Sequence, residues 1–258
     1  MQSSRPKPSA IPMVLLALFL LGWCCAIRSD AAPRLPRRMI RLPRLTVWAW
    51  ERREDLRSLP PGKFAVAYLD QTLRLGLNAY PIPRRQPLIF PSSASRIPVV
   101  RIEPQPGAVL DDQMRAQAVK AILNSARQPG IAALQIDFDA TRSQRDFYRS
   151  LLIEVRQQMP SQLPLSITAL ASWCSYDDWL RNLPIDEAVP MFFRMEPDRT
   201  RAPADLAAFR IREPLCQSSV GISTTEPWPP HLAGKRIYLF ADNGWQTDSL
   251  TTYERKLP

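Results

Sequence analysis

From Leu45 to the C-terminus the chain alternates short extended segments with helical ones, and the extended segments number eight, at 46–50, 63–70, 99–103, 133–139, 165–170, 188–194, 219–224 and 236–242. That count constrains the fold more than any other feature. Strands separated by helices call for a parallel sheet, because the crossover returns the chain to the starting edge, and eight such units close into a barrel. Two helices are plain. Residues 110–127 repeat Met114, Ala118 and Ile122, and residues 143–159 repeat Phe147, Leu151, Val155 and Met159 at i+4 spacing, with Ser143 and Asp146 as a start signal. Shorter helices are expected at 51–59, 175–183 and 204–212. Pro81, Pro83, Pro87 and Pro91 forbid a helix between Asp70 and Val99, so 73–75 and 88–90 read as extra strand pieces. With no internal repeat and no low-complexity linker, residues 45–258 are expected to form one α/β domain, a compact and irregular (β/α)8 TIM-type barrel.

Ahead of that body, Arg5 and Lys7 precede an apolar run from Ile11 to Ile27, followed by two small-x-small sites ending at Ala26 and Ala31. This is the pattern of a signal peptide over 1–31, with an uncleaved inner-membrane anchor as the alternative reading. Five arginines between Arg34 and Arg44 make 32–44 a basic, proline-rich arm, of a kind the positive-inside tendency resists exporting. The expected location is periplasmic or secreted. Export makes the cysteines informative: Cys24 and Cys25 lie in the leader, leaving Cys174 and Cys216 as a natural disulfide pair, or as two buried thiols.

The net charge of +10 invites a nucleic-acid reading until it is divided. Residues 1–44 hold eight basic groups against Asp30 alone, so the body carries only a slight excess and no basic stripe. No nucleic-acid partner is expected. There is no G-x-G-x-x-G and no P-loop, and His231 is the sole histidine, so neither a nucleotide cofactor nor a multi-histidine metal site is expected.

Carboxylate and aromatic chemistry remains. In Leu134-Gln-Ile-Asp-Phe-Asp139 strand alternation puts Gln135, Asp137 and Asp139 on one face and Leu134, Ile136 and Phe138 on the other. If the second set packs under helices, the first lines the barrel and its mouth. On the preceding strand Arg101 and Glu103 then face inward while Val100 and Ile102 face the helices. Such charges either pair as a structural network, Arg101 with Asp137, or serve a solvent-filled site. Glu226 and Asp242 arrive at the ends of later strands, and Trp48, Trp50, Trp173, Trp228 and Trp245 stand at or just past strand ends. Indole faces beside carboxylates suit sugar rings, although any single tryptophan is as readily a packing residue.

The strand from Leu134 to Thr141 resembles the fourth-strand signature of the chitinase-type glycoside hydrolases, in which spaced aspartates lead to a catalytic glutamate. Asp137 and Asp139 fall on two of those aspartates, Leu134 replaces the first, and Thr141 stands where the glutamate belongs. The body as a whole, with Val-Val-Arg-Ile-Glu, Leu-Gln-Ile-Asp-Phe-Asp, Thr-Ala-Leu-Ala-Ser-Trp-Cys and Pro-Met-Phe-Phe-Arg-Met in order, also resembles an uncharacterised family of exported bacterial proteins. Together these imply a hydrolase-like barrel without supplying a reaction. The expectation is an exported barrel that acts on or binds a polysaccharide. Asp139 would be the acid, Asp137 would raise its pKa, and Glu226 would be the opposing carboxylate. The alternative is a non-catalytic glycan-binding or envelope-assembly protein that retains the barrel.

Overall fold

Hydrogen-bonded parallel pairing runs unbroken around eight strands of the computed structural model, which describes residues 36–193, 211–226, 228 and 232–245. In chain order the elements are β1 (Leu45–Ala49), β2 (Glu54–Asp55), β3 (Phe64–Leu75), β4 (Ala79–Pro83), β5 (Leu88–Ile89), β6 (Ser95–Pro104), α1 (Asp112–Ala126), β7 (Leu134–Asp137), α2 (Arg145–Gln158), β8 (Leu165–Leu170), α3 (Ala171–Ser175), β9 (Glu187–Met191), β10 (Ser219–Ser223) and β11 (Arg236–Phe240). The sheet order β1-β11-β10-β9-β8-β7-β6-β3 returns through a β1–β3 pairing, so the barrel is closed and all eight staves are parallel. Closure leaves no open edge among the staves. β4 adds an antiparallel strand to the outer part of β3, and β2 pairs with β5 in a separate two-stranded patch. The architecture is consistent with a TIM-like barrel, irregular and with few helices.

Alternation sorts each stave into an inner and an outer face. Outward, Val100, Ile102, Leu134, Ile136, Ile167 and Ala188 pack against Met114, Ala118 and Ile122 of α1 and Phe147, Leu151 and Val155 of α2. Val47, Phe64, Val66, Val220, Ile222, Ile237 and Leu239 form a second outer cluster with Leu56 and Leu59, carried by the loop around β2. Inward, Trp48, Ala65, Ala67, Ile97, Val99, Ala133, Val189 and Tyr238 fill the barrel over Met39 and Leu42. Small and large residues facing each other is how a narrow barrel fills its interior.

α1 starts where Asp111 accepts the Met114 N–H at 2.8 Å, and α2 follows a turn of 3-10 helix at Arg142–Gln144 capped by Thr141. Both long helices therefore lie where periodicity places them. The short ones differ. Residues 51–59 form turns and β2 instead of a helix, because the Glu51 carboxylate accepts the Arg85 and Gln86 N–H groups and β2 takes its ladder from β5. In 175–183 the helix is α3, ending at Ser175, and turns follow, with Asn182 at φ 62°. The 204–212 helix lies outside the described residues except for Ile211 and Arg212, which are not helical. β3 runs on to Leu75 because a bulge between Leu69 and Gln71 lets the strand continue against β6 as far as Pro104.

Cys174 and Cys216 are disulfide-bonded, tying α3 to the 3-10 turn Pro214–Cys216 just before β10. A disulfide fits an oxidising, non-cytoplasmic location. Among the described residues no helix is long and apolar enough to cross a membrane. The apolar run 11–27, both small-x-small sites, Cys24, Cys25 and His231 lie outside the described residues. Residues 36–44, part of the stretch read as a basic arm, are folded against the barrel floor through Met39 and Leu42.

Candidate functional site

Parallel staves bring all their C-terminal ends to one rim, so whatever inward-facing residues stand last in each strand meet there. The cavity at this mouth is about 400 Å³. Its polar wall is Arg101, Asp137, Asp139, Arg52 and Asp242, and its apolar wall includes Trp48, Trp50, Phe193 and Phe240. A groove of about 450 Å³ adjoins it, built on the extension of β3 and β6 by Arg74, Glu103 and Gln105, and it shares Arg101, Asp137 and Asp139 with the first cavity. Both fall in the range of about 300–1,000 Å³ common for small-ligand sites.

Register explains the charged wall. Arg101 on β6 stands directly across from Asp137 on β7, and its Nη1 donates to Asp137 Oδ2 at 3.1 Å while its Nε donates to Glu103 Oε1 at 2.7 Å. Thr168, inward-facing on β8, donates to Asp137 Oδ1 at 2.6 Å. Burial pushes the Asp137 carboxyl above its ordinary range; the Thr168 bond and Arg101 pull it back, and the charge of Asp139 adds to the rise. For Arg101 burial acts downward, but Asp137, Glu103 and Asp139 together hold the guanidinium above its usual value. Asp139, one turn of alternation further out, is exposed at the point where the cavity and groove meet.

The aromatic wall is continuous. Trp48 and Trp50 stack with centroids 4.7 Å apart, Trp48 meets Phe240 at 5.0 Å, and Phe240 meets Phe193 at 4.6 Å. The Arg101 guanidinium lies over the Trp50 ring at 4.9 Å. Gly221 leaves room behind this wall: a Cβ there would come within 2.7 Å of Met191 Sδ and 3.3 Å of the Phe240 ring.

Beneath the mouth the interior is polar and tied together. Trp48 Nε1 donates to Gln135 Oε1 at 2.8 Å, Gln135 Nε2 to Ser166 Oγ at 3.1 Å, and Ser166 Oγ to Glu187 Oε1 at 3.3 Å. Tyr238 donates to the same Glu187 oxygen at 2.5 Å, and Arg236 Nε stands 3.6 Å from Glu187 Oε2 with both side chains fully buried. These links follow the register pairs Gln135 with Ser166 and Ser166 with Glu187. The loop after β1 is held in turn by Arg84, which donates to the Trp50 and Arg52 carbonyls, and by Arg52, which donates to Glu54 at 2.7 Å and to the carbonyls of Ala241 and Asp242.

Of the residues singled out in the sequence, the structure brings Asp137, Asp139, Arg101, Trp48, Trp50 and Asp242 to one cavity, with Glu103 in the adjoining groove. Asp242 there accepts hydroxyl protons from Ser223 at 2.9 Å and Thr225 at 2.5 Å. Three tryptophans are elsewhere. Trp173 packs edge-on against Trp179 under the helices, Trp228 lies against the outer cluster around β10 and β11, and Trp245 is buried in that cluster with its indole N–H on the Trp48 carbonyl. Glu226 is not among the residues that line either cavity. Thr141, in the position of the chitinase-type glutamate, is an exposed helix cap whose N–H donates to Gln144 Oε1 at 2.9 Å. Sequence reasoning missed Phe240, which alternation from Tyr238 would have placed on the inner face, and Arg52 and Phe193, which no periodicity marks. Among the described residues no group of three or more His, Cys, Asp or Glu side chains is set to hold a metal ion.

Fold and mouth together define a closed parallel barrel with a mixed aromatic and carboxylate site at the C-terminal rim. Residues 93–189, less than half of the chain, match a family described as "Domain of unknown function (DUF3142)". That stretch supplies Arg101, Glu103, Asp137 and Asp139, while Trp48, Trp50 and Asp242 lie beyond it. No curated protein and no solved structure matches the chain.

Proposed function

We propose that this chain is a periplasmic or secreted barrel that binds a polysaccharide at the C-terminal mouth. One observation carries the reading: a single cavity joins the stacked Trp48 and Trp50 and the tilted Phe240 ring beside them to the carboxylates of Asp137, Asp139 and Asp242. A sugar ring offers C–H groups to an aromatic face and hydroxyls to carboxylates, so the two walls match its two kinds of surface. Hydrolysis at the same place is the second reading, favoured by the raised proton affinity of Asp137 beside the exposed Asp139. Glu226 is not among the residues that line the cavity, so that reading rests on Asp137 and Asp139, with Asp242 as the remaining carboxylate of the same wall.

A glycan array and a panel of bacterial and plant polysaccharides, tested for binding and for cleavage, separate the two readings. Binding should be lost by about tenfold or more in Trp50→Ala with the melting temperature kept, because a partly exposed stacking ring adds little to the core. Turnover, if the wild type shows it, should fall by about two orders of magnitude in Asp139→Asn. A wild type that retains no glycan overturns the proposal.

A further inference from the structure

The charges of the mouth are not evenly engaged. Arg52, Arg74 and Arg101 line the cavity and the groove, and each is already matched to a protein group. Arg52 is held by Glu54 and two carbonyls, Arg101 by Glu103 and Asp137, and Arg74 Nε lies 3.9 Å from Glu103. On the acidic side Asp137 accepts from Thr168 and Arg101, Asp242 accepts from Ser223 and Thr225, and Glu103 accepts from Arg101. Asp139 is different. It is exposed, and among the described residues its carboxylate accepts no hydrogen bond and joins no ion pair, sensing Arg101 only through space. Among the described residues the open charge at the site is therefore negative, and it sits on the wall that both cavities share.

Two consequences follow from that placement. A ligand longer than one ring that fills both the aromatic cavity and the polar groove must cross Asp139. At the crossing an anionic sugar meets an unneutralised carboxylate, an uncharged amide gains an ordinary hydrogen bond, and an ammonium gains a charge-assisted one. Resting on the glycan reading above, we infer that the mouth selects a saccharide chain carrying a free amine on the unit that lies over Asp139. Asp139 is the residue that sets this preference, and Trp50, backed by the buried Trp48, supplies affinity that does not depend on the substituent.

The test uses the exported chain and three oligosaccharides of equal length: glucosamine, N-acetylglucosamine and galacturonic acid oligomers, titrated at about pH 6, where an amine is protonated. The glucosamine oligomer should bind about tenfold more tightly than the N-acetylated one, and the uronate more weakly than either. In Asp139→Asn the ratio of the first two should shrink towards one, whereas Trp50→Ala should weaken all three while leaving their ratios in place. Added salt should erode the glucosamine advantage. Equal binding of the amine and amide forms, or an amine preference that survives Asp139→Asn, overturns the inference and leaves the glycan reading standing. Failure of all three oligomers, together with every glycan of the wider array, overturns both.

Discussion

Asp137 and Asp139 stand two residues apart on the same face of one strand, yet their surroundings differ in kind. Asp137 is buried between Thr168 and Arg101, while Asp139 faces the open mouth. The sequence pattern gave the shared face; it gave neither the depth nor the partner Thr168, because those depend on which residue of β8 registers beside β7. Burial raises the proton affinity of Asp137 itself, with the charge of Asp139 as a smaller contribution. The sign of the stability effect follows. A carboxyl that holds its proton more tightly in the folded chain than in the unfolded one is neutral in both below about pH 4. As pH rises from there through the folded value, the unfolded chain ionises first, and the folded state loses stability relative to it. Melting curves of wild type and Asp137→Asn taken across this range should therefore differ least favourably for wild type at the upper end, with the difference constant below about pH 4. Glu187, also pushed up by burial, is present in both proteins and drops out of the comparison. A wild type that instead gains on the variant as pH rises would show that the Arg101 and Thr168 bonds outweigh burial.

At the scale of elements, legibility follows from how local the causes are. α1 and α2 were readable because Met114, Ala118 and Ile122, and Phe147, Leu151 and Val155, repeat over several turns against one sheet face. The helices expected at 51–59 and 175–183 were not readable, because the first stretch is fixed by groups more than thirty residues away in sequence and the second is a disulfide-anchored turn region. The strands were legible as a count of eight, but the long reach of β3 and β6, which builds the groove beside Asp139, comes from a bulge that no residue type announces. The candidate site divides in the same way. Strand alternation identified the charged wall, whereas proximity to strand ends alone grouped Trp173, Trp228 and Trp245 with Trp48 and Trp50, although those three pack outside the barrel. The disulfide tests one such non-local link. Cys174 and Cys216 are 42 residues apart, for which loop closure gives about 4 kcal/mol, so replacing both with alanine should cost about 2–4 kcal/mol in urea unfolding. Peptide mapping of the protein purified without reductant should return one cross-linked pair. Two alkylatable thiols would overturn the connectivity.

For the whole molecule, the barrel is filled from the floor upward, and the floor comes from the chain before β1. Met39 and Leu42 are buried beneath the inner residues, and the fully buried Arg236 guanidinium donates to the carbonyls of Met39 at 2.6 Å, Leu42 at 3.0 Å and Pro43 at 2.5 Å. Arg38 reinforces this from outside through Asp186 at 3.0 Å, whose other carboxylate oxygen accepts the Leu165 N–H at the start of β8. Glu187 balances the charge of Arg236, and the links from Glu187 through Ser166 and Gln135 to Trp48 run from floor to mouth. Residues 36–44 thus close the bottom of the barrel that carries the site at its top. Chains beginning at Pro36 and at Leu45 should accordingly differ sharply. Deleting 36–44 uncovers the inner cluster and strips Arg236 of its carbonyl acceptors, and a buried charge deprived of its partners costs about 3–5 kcal/mol before any lost packing is added. That is a large part of the about 5–15 kcal/mol that stabilises an ordinary domain, so the shorter chain should lose its cooperative melt while the longer one keeps it. Met39→Ala in the full chain is the graded version and should cost about 2–5 kcal/mol by denaturant unfolding. If the chain beginning at Leu45 melts at the same temperature as the one beginning at Pro36, residues 36–44 are a dispensable arm and the floor does not support the mouth.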